Sequence, residues 1–251
     1  MRTLRRNCNL LIGLAVLVST GNSATADESK HEDKAATAAI LSKYVAASQA
    51  QADVVRGASM QVEITACVPK LKEEGRLQAL RKISKVGQIT YHVLGFQGNN
   101  TVKSQVIARF LQAEQQGPQA VDLSITPANY KFKFKGEWKF GDKDAYLFQL
   151  SPRRKVVGLF KGEIWIDAAT YLPLYEKGRL VKNPSIFFKK VDFQRGFTIA
   201  NGTAIPAYMV STIDTRVVGK VELNIHYSKF EPNAGPDEEE TGTAVQQGAV
   251  K

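Results

Sequence analysis

The sequence predicts an α+β domain, an unclosed half-barrel of antiparallel strands wrapped around two or more helices. Three observations carry this reading. From Asn129 to Phe230, alternating runs of about 9 to 13 residues follow one another between turn signals, the texture of a large antiparallel sheet. Two stretches ahead of that region place apolar residues at three-and-four spacing, the period of a helix. The 251 residues, 43% hydrophobic and 23% charged, can bury a core, and no apolar run approaches the roughly 18 residues of a membrane span.

In chain order, Arg2, Arg5 and Arg6 form a positive segment, Leu10 to Val18 an apolar one, and Ala24-Thr25-Ala26 a small-residue cleavage site. Residues 1–26 therefore read as a secretory signal peptide, with the mature chain starting at Asp27 in the periplasm or outside the cell. Nine strongly apolar residues are too few to cross a hydrocarbon core of about 30 Å as a helix. Cys8 precedes the apolar run, out of place for a lipid-modified cysteine. Cys67 is then the single cysteine of the mature chain and reads as a small buried hydrophobe.

Residues 27–231 read as one domain. Ala36, Ile40, Leu41, Tyr44, Val45 and Ser48 give residues 33–50 one apolar helical stripe. Met60, Val62, Ile64 and Ala66 alternate with polar neighbours until Pro69, which predicts a strand. Residues 70–82 are polar and mixed, and 83–97 regain strand character. After the turn at Gly98-Asn99-Asn100, Thr101 can cap a helix over 101–115, with Val102, Val106, Ile107, Phe110 and Leu111 on one face.

Beyond Asn129, Tyr130, Phe132, Phe134, Trp138 and Phe140 hold even positions and Lys131, Lys133, Lys135, Glu137 and Lys139 odd ones, an aromatic face backed by a charged one. Val221, Leu223, Ile225 and Tyr227 repeat the pattern in the last strand. Turns fall at Gly141-Asp142, Pro152-Arg153-Arg154, Asp167-Ala168-Ala169, Asn183-Pro184 and Asn201-Gly202. Seven strands are expected after residue 129 and about two before it. Residues 232–251, rich in Gly, Pro and charge, read as a disordered acidic tail.

Function is read mainly by exclusion. The chain carries no H-E-x-x-H, G-x-S-x-G, S-x-x-K, P-loop or G-x-G-x-x-G pattern, and His31, His92 and His226 are scattered, so no enzyme, catalytic residue, metal site or cofactor is expected. Arg2, Arg5 and Arg6 fall in the first 26 residues, and Asp237, Glu238, Glu239 and Glu240 with Lys251 leave the last 20 at −3, so residues 27–231 keep a charge of +10. Nucleic acid is nevertheless a poor partner, because a stacking platform needs lysine and aromatic side chains on one face and strict alternation separates them.

The run Lys161-Gly162-Glu163-Ile164-Trp165-Ile166-Asp167, followed by Thr170, Leu172 and Pro173, resembles a hairpin of the periplasmic lipoprotein carriers of the LolA and LolB type. Gly141, Tyr146, Leu150 and Pro152 resemble the strand pair before it, so the resemblance covers residues 129–230. It implies an unclosed barrel lined by aromatic and aliphatic residues, helices as a lid, and an acylated lipoprotein or lipid as cargo. On this reading Phe132, Phe134, Trp138, Phe148, Trp165 and Leu223 line the lipid site, and Lys131, Lys133 and Lys135 project from the other face toward an anionic membrane surface. The alternative is an envelope sensor or interaction module whose barrel is filled by its helices and which acts through its basic outer surface.

Overall fold

The computed structural model of the protein describes residues 24–115 and 123–232. Residues 1–23, most of the expected signal peptide, and 233–251, all but the first residue of the expected acidic tail, lie outside that description. Among the described residues ten strands form one open antiparallel sheet: β1 (Ser59–Val68), β2 (Glu73–Ile83), β3 (Ile89–Gly98), β4 (Tyr130–Phe140), β5 (Lys143–Pro152), β6 (Phe160–Asp167), β7 (Pro173–Leu180), β8 (Phe188–Ala200), β9 (Thr203–Thr215) and β10 (Lys220–Glu231). Their order is β3-β2-β1-β10-β9-β8-β7-β6-β5-β4. Each strand pairs with its chain neighbour, except that β1 pairs with β10 and β3 and β4 form the edges.

Alternation fixes the faces. Met60, Val62, Ile64, Ala66 and Val68 of β1 are buried together with Val221, Leu223 and Ile225 of β10, and their polar neighbours point away. The face bearing these residues is the inner one. Its apolar side chains form two clusters, one centred on β1, β2, β9 and β10, the other on β4, β5 and β6.

A helix covers each cluster. Helix α1 (Ala24–Val55) extends past the predicted 33–50 at both ends. The chain divides into two compact units between Ala39 and Ile40, so α1 begins in the first and finishes in the second. In the second unit Tyr44 is buried in the β4–β6 cluster, with Ile40, Leu41 and Val45 beside it. The other cluster takes a helical run of three pieces, α2 (Asn100–Val102), a π-helical turn (Lys103–Ile107) and α3 (Ala108–Gln115), which contribute Val102, Val106, Ile107 and Leu111. Asn99 caps this run rather than Thr101: its Oδ1 accepts the N–H groups of Thr101 at 2.7 Å and Val102 at 3.3 Å. No described helix is long and apolar enough to cross a membrane.

Three expectations are corrected here. The polar stretch 70–82 contains strand β2, whose inward positions are Gly75, Leu77, Ala79 and Arg81. One large apolar residue in four conceals a strand. Cys67 is half-buried on the outer face, with Glu74 and Glu222 as its cross-strand partners. The third concerns β4. Phe134 pairs with Phe148 and Gly136 with Leu147, so Lys135 is an extra residue, a bulge made possible by the φ of +113° at Gly136. One inserted residue exchanges the faces. Tyr130, Phe132 and Phe134 point inward, whereas Trp138 and Phe140 join the lysine face, so the separation of aromatic from basic side chains ends at Phe134.

The motif Asp167-x-x-Thr170 proves to be turn chemistry. The buried Asp167 carboxylate accepts the Thr170 amide at 2.9 Å and its hydroxyl at 2.7 Å. These bonds hold the β6–β7 connection while Tyr171 takes a φ of +59°.

Candidate functional site

Cross-strand partners share a face, so the registers trace one inner row over all ten strands: Phe134, Phe148, Ile164, Glu176, Arg195, Met209, Ile225, Ile64, Leu77 and Phe96. Eight members are apolar. Glu176 and Arg195, adjacent at the middle, are the exception.

Beside this pair lies a cavity of about 360 Å³, within the roughly 300–1,000 Å³ typical of small-molecule sites. Phe110, Ala113 and Glu114 of α3 form one wall, and Phe188, Val191, Phe193, Met209 and Ile213 of β8 and β9 another. Tyr130, Phe160, Leu123 and Ile125 close it on the β4–β6 side. The cavity thus sits where the two clusters meet and neither helix fills the gap. A larger depression of about 710 Å³ lies mainly over the outer face. It is open to solvent, and four of its charges are already paired, Lys177 with Glu163 at 3.1 Å and Arg179 with Asp192 at 2.6 Å. The inner cavity is the better candidate site.

Its polar equipment is sparse. The Arg195 guanidinium approaches Glu176 Oε2 at 3.6 Å, an ion pair too long for a hydrogen bond, and that oxygen is buried without any hydrogen-bond partner. Burial pushes the Glu176 carboxyl above its ordinary range, with Arg195 opposing. Burial likewise raises the Tyr130 phenol to about 12. Glu114 on α3 belongs to a second buried network. Arg81 Nε donates to Tyr91 Oη at 3.2 Å, Tyr91 donates to Glu114, and Arg81 lies 3.7 Å from Glu114. This network ties the cavity-facing helix to β2 and β3.

A raised carboxyl pKa has a definite sign. The folded chain holds the Glu176 proton more tightly than the unfolded chain, so ionising this residue costs stability above the ordinary carboxylate range, and acidification recovers it. Glu176→Gln is therefore expected to flatten the rise in stability seen when the wild type is acidified toward pH of about 4.5. Thermal melts across that range check it.

The residues expected to line a lipid site lie elsewhere. Phe132, Phe134 and Phe148 belong to the β4–β6 cluster under α1, where Phe132 meets Tyr44 at 6.3 Å. Leu223 is wholly buried in the other cluster. Trp138 and Trp165 are on the outer face. None of the six is on the cavity wall. Trp165 instead joins Phe140 and Tyr175 in an outer aromatic belt, with centroids 5.2 to 6.3 Å apart. Tyr208 continues the belt, its ring lying over Gly196, where a Cβ would fall 2.3 Å away. Lys131, Lys133 and Lys135 are exposed on edge strand β4. Lys189 and Lys190 lie on β8, four strands away and therefore about 19 Å from the row, and Lys190 and Lys139 are engaged by Asp192 and Asp144 at 2.9 and 2.7 Å.

Glu176 and Arg195 carried a legible signal. Each stands in the buried phase of its strand, with Leu174 and Leu180 around the first and Val191 and Phe193 before the second.

No protein-family profile matches the chain, and no curated protein matches it in sequence. Its fold is similar to solved structures of LolA superfamily and outer membrane lipoprotein-sorting proteins over most of its length. A LolA superfamily protein from Nitrosomonas europaea is 14% identical, with 79% of this chain and 94% of that one covered and a TM-score of 0.40. A DUF1329 family protein from Desulfovibrio piger is 12% identical over 78% and 93%, at 0.45. An outer membrane lipoprotein-sorting protein domain from Vibrio parahaemolyticus is 14% identical over 79% and 93%, at 0.39.

Proposed function

We propose that the protein is an exported, non-enzymatic carrier that holds an acyl chain in the inner cavity of a half-barrel sheet, beneath α3. The observation that carries this reading is the cavity itself, apolar on nearly every wall and roofed by a short helix. Each buried methylene contributes about 0.8 kcal/mol, so ten contribute about 8 kcal/mol, the micromolar scale before ordering costs. The test is organic extraction of the purified protein with mass spectrometry of the extract, alongside titration with a fluorescent fatty acid. A co-purifying acyl lipid or saturable binding is expected. An empty extract with no binding would shift the assignment to an envelope interaction module acting through its outer surface, a reading favoured by the outer aromatic belt and by Trp138, which is 55% exposed.

The lysine row supplies a separate proposal, docking of the carrier on anionic membranes. Lys131, Lys133 and Lys135 share one exposed strand face, and each contributes about 1 kcal/mol near such a surface at low salt. Substituting all three by Gln is expected to reduce flotation with anionic vesicles at low ionic strength. Recovery equal to that of the wild type would remove the docking role without touching the cavity.

A further inference from the structure

The cavity is almost entirely apolar, yet one wall carries a carboxylate oxygen with no hydrogen-bond partner and a guanidinium without a good one. Arg195 is 3.6 Å from Glu176 and 3.9 Å from the thioether sulfur of Met209. An arginine carries five N–H donors in a planar fork, and with 38% of its side chain exposed Arg195 has donors left over that only solvent reaches. A buried carboxylate oxygen left without a donor is costly, and such atoms are rare in folded proteins. Apolar residues of similar size would pack better here, as Ile164 and Met209 do on either side of the pair in the same row. The pair is therefore poised for a group that the free protein does not supply.

What would complete both partners follows from their chemistry. Glu176 Oε2 needs a donor and Arg195 needs an acceptor. The pair is already neutral as a whole, so an ionised ligand head would bring an uncompensated charge into the cavity. Resting on the lipid-carrier reading above, we propose that Glu176 and Arg195 select an acyl chain with a neutral amide head, its N–H donating to Glu176 and its carbonyl accepting from Arg195, while the chain runs along Phe188, Val191 and Ile213. A fatty carboxylate has no donor to offer and adds a negative charge beside Glu176. A methyl ester offers an acceptor alone.

The test compares lauramide, methyl laurate and laurate as competitors of the neutral probe N-phenyl-1-naphthylamine on the full mature chain, at about pH 8, well above the ordinary carboxylate range. One charge-assisted hydrogen bond is worth about tenfold in affinity. Lauramide is expected to bind about tenfold more tightly than methyl laurate, with laurate weakest. In Glu176→Gln, Arg195 is left uncompensated and the preference should reverse in favour of laurate. Equal affinity for the three heads on the wild type, or an unchanged order in Glu176→Gln, overturns the head-group assignment while leaving the carrier reading in place. Failure of all three to displace the probe overturns both. Should Glu176→Gln not fold, as judged by circular dichroism, the wild-type series decides alone.

Discussion

Phe148→Ala is expected to be among the most damaging single substitutions, costing about 4 kcal/mol and lowering the melting midpoint by about 10 °C. Phe148 has no exposure and stands in the inner row between Phe134 and Ile164. Its ring meets Phe134 at 5.2 Å and, edge-on, Phe132 at 5.8 Å. Truncation removes the transfer energy of a large ring and leaves a hole between a sheet and a helix that cannot close on it. Since a typical domain is stable by only about 5–15 kcal/mol, roughly a quarter or more of the whole is at stake. Denaturant unfolding monitored by circular dichroism measures the loss. A change below about 1 kcal/mol would show that the β4–β6 cluster is loosely packed.

The second large effect is expected at Glu114. Arg81 is 9% exposed; burial pulls its pKa down, and Glu114 with Tyr91 more than restores it. Glu114→Ala strands that cation and should cost about 3 kcal/mol, because a buried ion pair is least forgiving when one partner is removed. The loss should concentrate on α3, whose remaining hold is its apolar stripe. Hydrogen exchange across residues 100–115 is expected to accelerate while β1 and β10 stay protected. Adding Arg81→Met to Glu114→Ala should recover most of the stability, since the double variant leaves no charge unpaired. No recovery would mean that Arg81 acts chiefly through Tyr91.

Legibility in the sequence followed packing. Strands β5 to β10 could be read because their inner positions are apolar with few exceptions, Glu176 and Arg195 among them, and their turns carry Gly, Pro or Asn at the right places. Strand β2 could not, because Arg81 occupies an inner position and Leu80 an outer one, inverting the expected pattern. The faces of Trp138 and Phe140 were misread for a single reason: a bulge at Lys135 leaves no trace in alternation, only a glycine that could equally serve a turn. The cavity was hidden more deeply. Its walls come from α3, the loop before β4 and six strands, so no stretch of chain contains enough of it to be seen. Glu176 and Arg195 were visible as charges in the wrong phase, but only pairing of β7 with β8 makes them neighbours.

The pairing of β1 with β10 has a consequence for assembly. Ser59 and Glu231, separated by 172 residues, are joined by a side-chain bond at the far end of the sheet. As the polypeptide is synthesised, β1 to β3 can close one local meander and β4 to β9 another, each from contacts between chain neighbours. Only the last strand, docking simultaneously on β1 and β9, converts them into one object, at the loop-closure cost that makes distant pairings slow. Until then the nascent protein presents four unpaired strand edges instead of two, each a template for a neighbouring molecule. The vulnerable interval in this protein's life is therefore set by the twelve residues of β10, and a chain interrupted before Lys220 would leave two sheets with nothing to join them.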